Sequence, residues 1–325
     1  MLGGRAEITV RFCYASRMTQ HSTRTPEIVV IDGTALLFRA YYGARPAEAV
    51  DGTPIGAVLG TARTLVDMLG RARTTHVVVV FDAGQRTFRN TLDPAYKANR
   101  GAPPPDLVPQ FDLVQEMVRA LGFATLCAPG FEADDLMATV ARQAHGEGWG
   151  TWLLSPDKDL YQLVNDAPPG VRVYHWHNRK VIDGAEVAER IGVAPSFAVD
   201  YFALVGDSSD NVRGVRGVGP KAASALVSNL GSLSQIYERL DDVASLQIRG
   251  AKSLKAKLEA GREDAELALK LVTLKDDVEM GVDGPLGPWA RWPGPREEAR
   301  EVFARLGVDA PLQAMRTIHA SRPKS

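Results

Sequence analysis

The sequence predicts an α/β protein with a mainly parallel central sheet and an α-helical second half. Apolar runs at residues 28–31 and 77–81 have the length of buried strands, and an aspartate follows each of them. Helical patterns at residues 55–69 and 107–121 separate such runs, and this alternation is typical of parallel sheets. Strand-like runs stop after about Asp183, so we expect helices beyond that residue.

The composition of the chain argues against several classes of protein. Its 325 residues are 45% hydrophobic, which is enough for a substantial core. The formal net charge of -1 gives no global basic signature, so a nucleic-acid partner has to be argued from local charge. Cys13 and Cys127 lack metal-type spacing, which argues against zinc and against a disulfide framework. No run approaches the ~20 apolar residues of a membrane span, so we expect a cytoplasmic protein.

Four segments are expected along the chain. Residues 1–27 mix arginine with serine and threonine, which predicts a loose extension. The α/β domain is expected at residues 28–183 and the helical region at residues 184–280. Residues 281–325 predict a linker and C-terminal tail, because prolines and tryptophans precede one short helix near residues 296–306.

Acidic residues stand where the predicted strands end. Asp32 and Asp82 each follow a strand, and Asp157 follows a third strand at residues 152–154. The crossover rule places the carboxyl ends of parallel strands along one edge, where open α/β sheets bind ligands. With acids at a helix start and in a later helical turn, the candidate cluster has nine members: Asp32, Asp82, Glu132, Asp134, Asp135, Asp157, Asp159, Asp207 and Asp210.

The number and chemistry of these acids predict a metal centre. Each acid alone is equally typical of a turn or a helix cap. Converging carboxylates repel by about 4 kcal/mol per pair at about 4 Å and an effective dielectric of ~20, unless cations or raised pKa values relieve the repulsion. Oxygen ligands select Mg²⁺ or Mn²⁺, and two such ions can promote phosphodiester hydrolysis. His175 and His177 are interpreted as packing or surface residues.

Several motifs of the chain match one known family. They are Val30-Ile31-Asp32-Gly33, Phe38-Arg39-Ala40-Tyr41, Phe81-Asp82, Phe88-Arg89, Tyr96-Lys97-Ala98-Asn99-Arg100, Glu132-Ala133-Asp134-Asp135, Asp157-Lys158-Asp159 and Gly206-Asp207-Ser208-Ser209-Asp210-Asn211. Over residues 28–280 the chain thereby resembles the 5′-nuclease domain of bacterial DNA polymerase I, which is related to flap endonucleases. The resemblance implies a PIN-like 5′-nuclease fold with a helical arch and a C-terminal helix-hairpin-helix (H3TH) region.

The resemblance also implies how the acids divide between two Mg²⁺ ions, for which Mn²⁺ can substitute. Four acids are expected nearer one ion: Asp32, Asp82, Glu132 and Asp134. Three acids are expected nearer the other ion: Asp157, Asp159 and Asp210. Asp135 and Asp207 are expected to act through water or as supporting residues.

The segment at residues 86–100 is locally basic, with four cationic residues against one acid, and the family has a flexible arch here. We expect Lys97 and Arg100 to offset charge on the scissile phosphate and Arg89 to grip it. Tyr41 and Tyr96 are candidates for stacking on an unpaired terminal base, a contact of ~1–3 kcal/mol. A solvated basic loop and core packing of Tyr41 are the alternatives.

A glycine-rich run precedes a helix that begins near Pro220, which predicts a tight hairpin. Its backbone N–H groups and the helix N-terminus can approach a phosphate. The resemblance implies a helix-hairpin-helix that binds duplex backbone, with K⁺ as a further cofactor. A plain interhelical turn is the alternative. The expected DNA contacts here and in the second matching motif are Arg39, Arg213, Gly214, Arg216, Gly217, Gly219 and Lys221.

Together these features predict a structure-specific 5′-3′ exonuclease or flap endonuclease that cuts DNA near 5′ ends or single-strand/duplex junctions, in primer removal and repair. A PIN-like ribonuclease and a non-catalytic junction-binding protein are the alternatives. Expected partners are DNA with a 5′ flap, nick or free 5′ end, RNA–DNA primers and a separate DNA polymerase, because no polymerase domain follows. A monomer is expected, since neither end shows a heptad pattern.

Overall fold

The structure of the protein is a computed structural model that describes four stretches of the chain: residues 25–71, 74–84, 86–247 and 250–322. The loose extension expected at residues 1–27 lies outside the described residues, except for its last three. Within these four stretches, no helix has both the length and the apolar character needed to cross a membrane.

A six-stranded sheet forms the centre of the first domain. Its strands are β1 (Glu27–Asp32), β2 (His76–Val80), β3 (Ala124–Leu126), β4 (Gly150–Leu154), β5 (Val171–His175) and β6 (Lys180–Ile182). They lie in the order β3-β2-β1-β4-β5-β6, and all neighbours are parallel except β5 and β6. The chain order reverses beside β1, so the crevice beyond the carboxyl ends of β1 and β4 is the topological switch point.

Helices cover both faces of this sheet. They are α1 (Gly33–Gly43), α2 (Gly56–Arg71), α3 (Phe88–Leu92), α4 (Gln110–Ala120) and α5 (Ala133–Gly146). Alternate residues of β1 point to opposite faces. Val29 and Ile31 therefore belong to the core that contains α1, α2 and α4, whereas Ile28 and Val30 belong to the core that contains α5.

A single hydrophobic core continues from α5 into the helical region. Leu136 of α5, Phe202 and Leu271 are buried in the same cluster. A short ribbon of two strands departs from the all-helical expectation, because two-residue strands leave no periodic pattern in a sequence. The elements of the region are α6 (Gly184–Ile191), α7 (Ala198–Val205), β7 (Gly206–Asp207), β8 (Val212–Arg213), α8 (Pro220–Leu230), α9 (Leu233–Glu238), α10 (Leu240–Val243), α11 (Ala251–Ala260) and α12 (Arg262–Val272).

The linker and tail expected at residues 281–325 are instead folded onto the sheet domain as far as the structure describes them. Trp292 is 3% exposed, and its backbone N–H and indole N–H donate to the carbonyls of Thr75 and Leu121, both at 2.8 Å. Phe303 is buried in the core of α2 and α4. The prolines of this segment suggested a linker. The sequence does not show that Trp292 is ordered, because the carbonyls that its N–H groups contact belong to distant parts of the chain. The helices here are α13 (Leu286–Ala290), α14 (Ala299–Arg305) and α15 (Ala310–Ser321).

His175 is buried at the end of β5, which agrees with the packing interpretation of this residue. It is 3% exposed, and its ring lies 5.7 Å from the Tyr161 ring and 5.4 Å from the His177 ring between centroids. Neither ring nitrogen has a hydrogen-bond partner in the described part of the chain. Burial, followed by the charge of Arg190, lowers the pKa of His175 to about 4.

Replacing Trp292 tests whether the C-terminal helices stabilise the fold. Trp292→Ala is expected to lower the free energy of unfolding by about 3–5 kcal/mol, because it empties a core position and removes the donor to Leu121. Urea denaturation followed by circular dichroism measures this change. Arg300→Ala, at an exposed position of α14, is the control and should change stability by less than about 0.5 kcal/mol. A Trp292 variant as stable as the control would contradict the prediction.

Burial of His175 predicts acid sensitivity. Because its folded-state pKa lies below the ordinary value of 6.5, the unfolded chain binds this proton first, and stability falls as the pH falls from 6.5 towards 4. Across this pH range, His175 lowers the free energy of unfolding by on the order of 3 kcal/mol. Denaturation curves across this pH range should show a shallower acid slope for His175→Phe than for the wild type. Parallel slopes would rule out this assignment.

Candidate metal centre and nucleic-acid interface

Asp32 and Asp82 lie at the carboxyl ends of the neighbouring strands β1 and β2. Asp32 caps α1, since its Oδ1 accepts the Ala35 N–H at 2.8 Å, and its Oδ2 accepts the Ser155 hydroxyl at 2.9 Å. Asp82 Oδ1 accepts the N–H of Ala133, the first residue of α5, at 2.8 Å. These bonds hold both carboxylates between the first turns of α1 and α5.

The start of α5 adds Glu132 and Asp134 to the cluster. Glu132 accepts hydrogen bonds from the Tyr96 hydroxyl at 3.0 Å and from the Lys97 ammonium at 2.8 Å. Asp134 Oδ1 is buried and has no hydrogen-bond partner among the described residues. A buried carboxylate oxygen in this state is unfavourable unless a cation or a donor reaches it.

A second group of acids lies beside the first. Asp159, Asp207 and Asp210 each offer one carboxylate oxygen, and these oxygens lie within 4.8 Å of one another. Within the described stretches, Asp159 Oδ1 is also buried without a partner. Asp157 Oδ1 accepts the N–H of Asp159 at 2.9 Å, which ties the fourth acid to this group. The spacing fits oxygen ligands of a hard divalent cation.

Burial and mutual repulsion raise several pKa values in the cluster. Burial, followed by the charge of Asp82, raises the pKa of Asp32 to about 7. Burial, followed by the charge of Asp157, raises the pKa of Asp134 and of Asp159 well above the usual range. The donor atoms here are carboxylate oxygens, so Mg²⁺-like cations fit the site and would relieve the repulsion.

Arg89 and Asp135 form an ion pair that is buried behind the cluster. Arg89 is 1% exposed and Asp135 is 0% exposed. The two Nη atoms of Arg89 donate to the two carboxylate oxygens of Asp135 at 2.8 Å, and Nε donates to the Leu271 carbonyl at 2.7 Å. The same carboxylate accepts the backbone N–H groups of Glu132 at 3.0 Å and of Lys275 at 2.9 Å. Four hydrogen bonds thus occupy the Asp135 carboxylate.

These contacts change the expected role of Arg89. Its guanidinium does not reach the open side of the cluster, so the expected grip on a scissile phosphate does not fit this geometry. For Asp135, the contacts correspond to the supporting role, one of the two that the resemblance left open. Although burial opposes its charge, the ion pair with Asp135 raises the pKa of Arg89. The charged pair joins α3, α5 and the end of α12.

The structure brings Lys97 and Arg100 to the acids. Lys97 Nζ lies 2.8 Å from Glu132 Oε1 and 3.3 Å from Asp210 Oδ2, and Arg100 pairs with the other oxygen of Asp210. The Lys97 N–H donates to the Asp210 carbonyl at 2.9 Å, and Lys97 adopts a left-handed φ of 56°. The side chain of Arg100 is 52% exposed, so it can exchange this partner for a ligand.

Sequence reasoning missed two polar side chains that hold the acids. Lys158 Nζ donates to Asp207 Oδ2 at 2.5 Å and, against the effect of burial, lowers the pKa of Asp207. Ser155 is 0% exposed and accepts the Asp157 N–H at 3.2 Å while donating to Asp32. The available signal was their position after β4, because Lys158 stands between Asp157 and Asp159, and Ser155 lies two residues before Asp157.

Both tyrosines that were expected to stack on a base make hydrogen bonds to acids. Tyr96 is 4% exposed with its hydroxyl on Glu132, so its ring is not available to a base. The Tyr41 hydroxyl donates to Asp106 at 2.7 Å. Tyr42, which the sequence analysis did not select, is 75% exposed and touches the edge of the Tyr41 ring.

The hairpin between β8 and α8 carries cationic side chains. Arg213, Arg216 and Lys221 are exposed and form no ion pair among the described residues, and Arg39 of α1 is exposed as well. Gly217 has a φ of 83°, which favours glycine. Gly219 precedes the first turn of α8.

Gly214 serves the packing of the β7–β8 ribbon. A Cβ atom at Gly214 would lie 2.3 Å from the nitrogen of Gly206, and a Cβ atom at Gly206 would lie 2.4 Å from the nitrogen of Gly214. The two backbones approach too closely for any side chain. The absence of a side chain at Gly214 is therefore explained within the fold, without a phosphate.

Comparison with protein-family models identifies the class of protein. The model described as 5′-3′ exonuclease, N-terminal resolvase-like domain, matches residues 27–192, and the model described as 5′-3′ exonuclease, C-terminal SAM fold, matches residues 193–286. The chain therefore belongs to the 5′-3′ exonuclease family. The predicted α/β fold with a helical second region is confirmed.

Among relatives, the chain is similar to a 5′-3′ exonuclease of Buchnera aphidicola, at 32% identity over 78% of this chain and 88% of that protein. It is also similar to DNA polymerase I of Rhizobium leguminosarum, at 39% identity over 79% of this chain. The match spans 25% of that polymerase. The likeness to the polymerases thus concerns about a quarter of their length.

Solved structures share the fold. The chain matches T5 5′-exonuclease with bound zinc at a TM-score of 0.60 and 22% identity, over 90% of this chain and 98% of that one. It matches the catalytic core of Rad2 in complex with DNA substrate at a TM-score of 0.60 and 16% identity, over 90% and 92% of the two chains.

Asn substitutions at two adjacent acids should have opposite effects on stability. In EDTA near neutral pH, Asp135→Asn is expected to lower the free energy of unfolding by about 3–5 kcal/mol, because it leaves Arg89 buried without its countercharge. Asp134→Asn is expected to raise it, because a carboxylate whose folded pKa is raised destabilises the fold above the ordinary pKa of 3.8. Urea denaturation measures both, and changes of equal sign would refute the assignment.

Proposed function

We propose that this nuclease hydrolyses DNA phosphodiester bonds near 5′ ends or single-strand/duplex junctions by two-metal-ion catalysis, in primer removal and DNA repair. The observation that carries the proposal is a pair of buried carboxylate oxygens, on Asp134 and Asp159, that have no partner among the described residues. They lie within a cluster of acids on one edge of the sheet. Structures that share the fold include T5 5′-exonuclease with bound zinc, a T5 flap endonuclease complex with DNA and metal ions, and the catalytic core of Rad2 with DNA substrate, which supports this assignment.

The donor set fits two Mg²⁺ ions, with Mn²⁺ as a substitute. When bound, the ions activate a water molecule and stabilise the charge that develops on the leaving oxygen. One ion would be held by Asp32, Asp82, Glu132 and Asp134. The other ion would be held by Asp157, Asp159 and Asp210. Asp207, held by Lys158, lies beside this second group.

Lys97 and Arg100 supply positive charge on the open side of the acids. Both belong to the arch and pair with Asp210. A phosphate brought to the metal ions would compete for these donors, and its negative charge would be offset by them. No side chain is needed as a general base in this arrangement.

The exposed cations of the hairpin fit the backbone of a DNA duplex. Arg213, Arg216 and Lys221 lack carboxylate partners in the described part of the structure. Contacts to phosphates position a duplex without reading its sequence, so we expect weak sequence preference and binding that weakens steeply with salt. The substrates would be DNA with a 5′ flap, a nick or a free 5′ end. A K⁺ ion at the hairpin, RNA–DNA primers, a separate polymerase, a monomeric state and a cytoplasmic location stay predictions.

A cleavage assay with one acid replaced tests the proposal. Asp82→Asn is expected to keep folding and DNA binding but to reduce cleavage of 5′-flap DNA in Mg²⁺ by about 100-fold, because it weakens one ion site. Asp112→Asn, at an exposed position in the first turn of α4, is the control and should cleave like the wild type. Nicked duplex and single-stranded RNA serve as parallel substrates. Undiminished cleavage by the Asp82 variant would contradict the mechanism, and preferred cleavage of RNA would favour the ribonuclease alternative.

A further inference from the structure

Lys257 crosses the hairpin at Gly217. Its Nζ donates to the Gly217 carbonyl at 3.3 Å, and its Cε would lie 3.2 Å from a Cβ atom at Gly217. The lysine stem therefore occupies the space that a side chain at residue 217 would need. Lys257 belongs to α11, whose Leu254 and Leu258 are buried on either side of it in sequence.

The end of α11 is fixed against the hairpin by packing as well. A Cβ atom at Gly261 would lie 2.9 Å from Cγ1 of Val215, and Val215 is 2% exposed. This contact sets the distance between the helix and the hairpin. The backbone of α11 is therefore held close to the hairpin, which places the stem of Lys257 beside Gly217.

Lys257 has no carboxylate partner among the described residues. The preceding lysine of this helix, Lys255, pairs with Asp241 at 2.5 Å. An ammonium group has three N–H donors, and the Gly217 carbonyl takes one of them. Arg216 and Lys221, on the hairpin and the first turn of α8, are also without acids in the described part of the chain. This local excess of positive charge indicates an anionic ligand.

We propose that Lys257 is a phosphate-binding residue of the duplex interface, whose ammonium bridges the Gly217 carbonyl and a DNA phosphate. The inference rests on the proposed function. A Cβ atom at residue 217 would lie 3.2 Å from Lys257 Cε, so a side chain there would require the lysine stem to shift.

Binding of a blunt DNA duplex in EDTA, followed by fluorescence anisotropy across a salt titration, tests the proposal. At about 0.1 M salt, Lys257→Met is expected to weaken binding about 5- to 10-fold and to lower the slope of log affinity against log salt by about 0.9, the release of one counterion. Lys257→Arg should restore most of the affinity. Lys252→Met, at an exposed position of the same helix, is the control and should change affinity less than about 2-fold.

The outcomes separate this proposal from the proposed function. Wild-type protein that neither binds duplex nor cleaves a 5′ flap would overturn the proposed function itself. Wild-type binding with an unchanged Lys257→Met variant, or an equal loss in Lys252→Met, would overturn only the role of Lys257.

Discussion

The structure depends on keeping mutually repelling carboxylates together at the switch point of the sheet. Asp32 and Asp82 are held there by backbone N–H groups at the starts of α1 and α5. On the open side, Lys97 and Arg100 offset part of the negative charge. The negative charge that these groups do not offset lies on buried oxygens such as Oδ1 of Asp134. The fold thus keeps negative charge close together at a site where divalent cations would relieve the repulsion.

The Arg89–Asp135 ion pair supports the part of the fold that carries these mutually repelling carboxylates. It is buried, and hydrogen bonds occupy the Asp135 carboxylate, so removing one partner would leave the other charge buried without compensation. Because Arg89 of α3 also donates to the Leu271 carbonyl, α3, the acid-bearing α5 and the end of α12 share one anchor.

The sequence predicted the parts of the site that follow from local pattern. Asp32 and Asp82 were found because strand and helix alternation determines where parallel strands end. The role of Arg89 was wrongly anticipated because its main partners lie 46 and 182 residues away in sequence. The sequence analysis also missed that the segment around Trp292 is folded. Its prolines indicate the backbone conformation, but they do not reveal the distant carbonyl that accepts the indole N–H. The expectation that Tyr96 stacks on a base does not fit its burial, and the sequence alone does not show whether a tyrosine is buried or exposed.

One hydrophobic core runs from α5 through α7 to α12 without interruption. The helix that bears the acids and the helices beside the hairpin therefore pack into the same core, and a change in their relative position would have to disrupt it. Any bending needed to contact both parts would then have to occur in the bound DNA duplex. Continuous double helices resist curvature over their persistence length of about 50 nm, whereas a nick or a flap base supplies a flexible joint. Stiffness of the protein would then select interrupted duplexes through the cost of deforming intact ones.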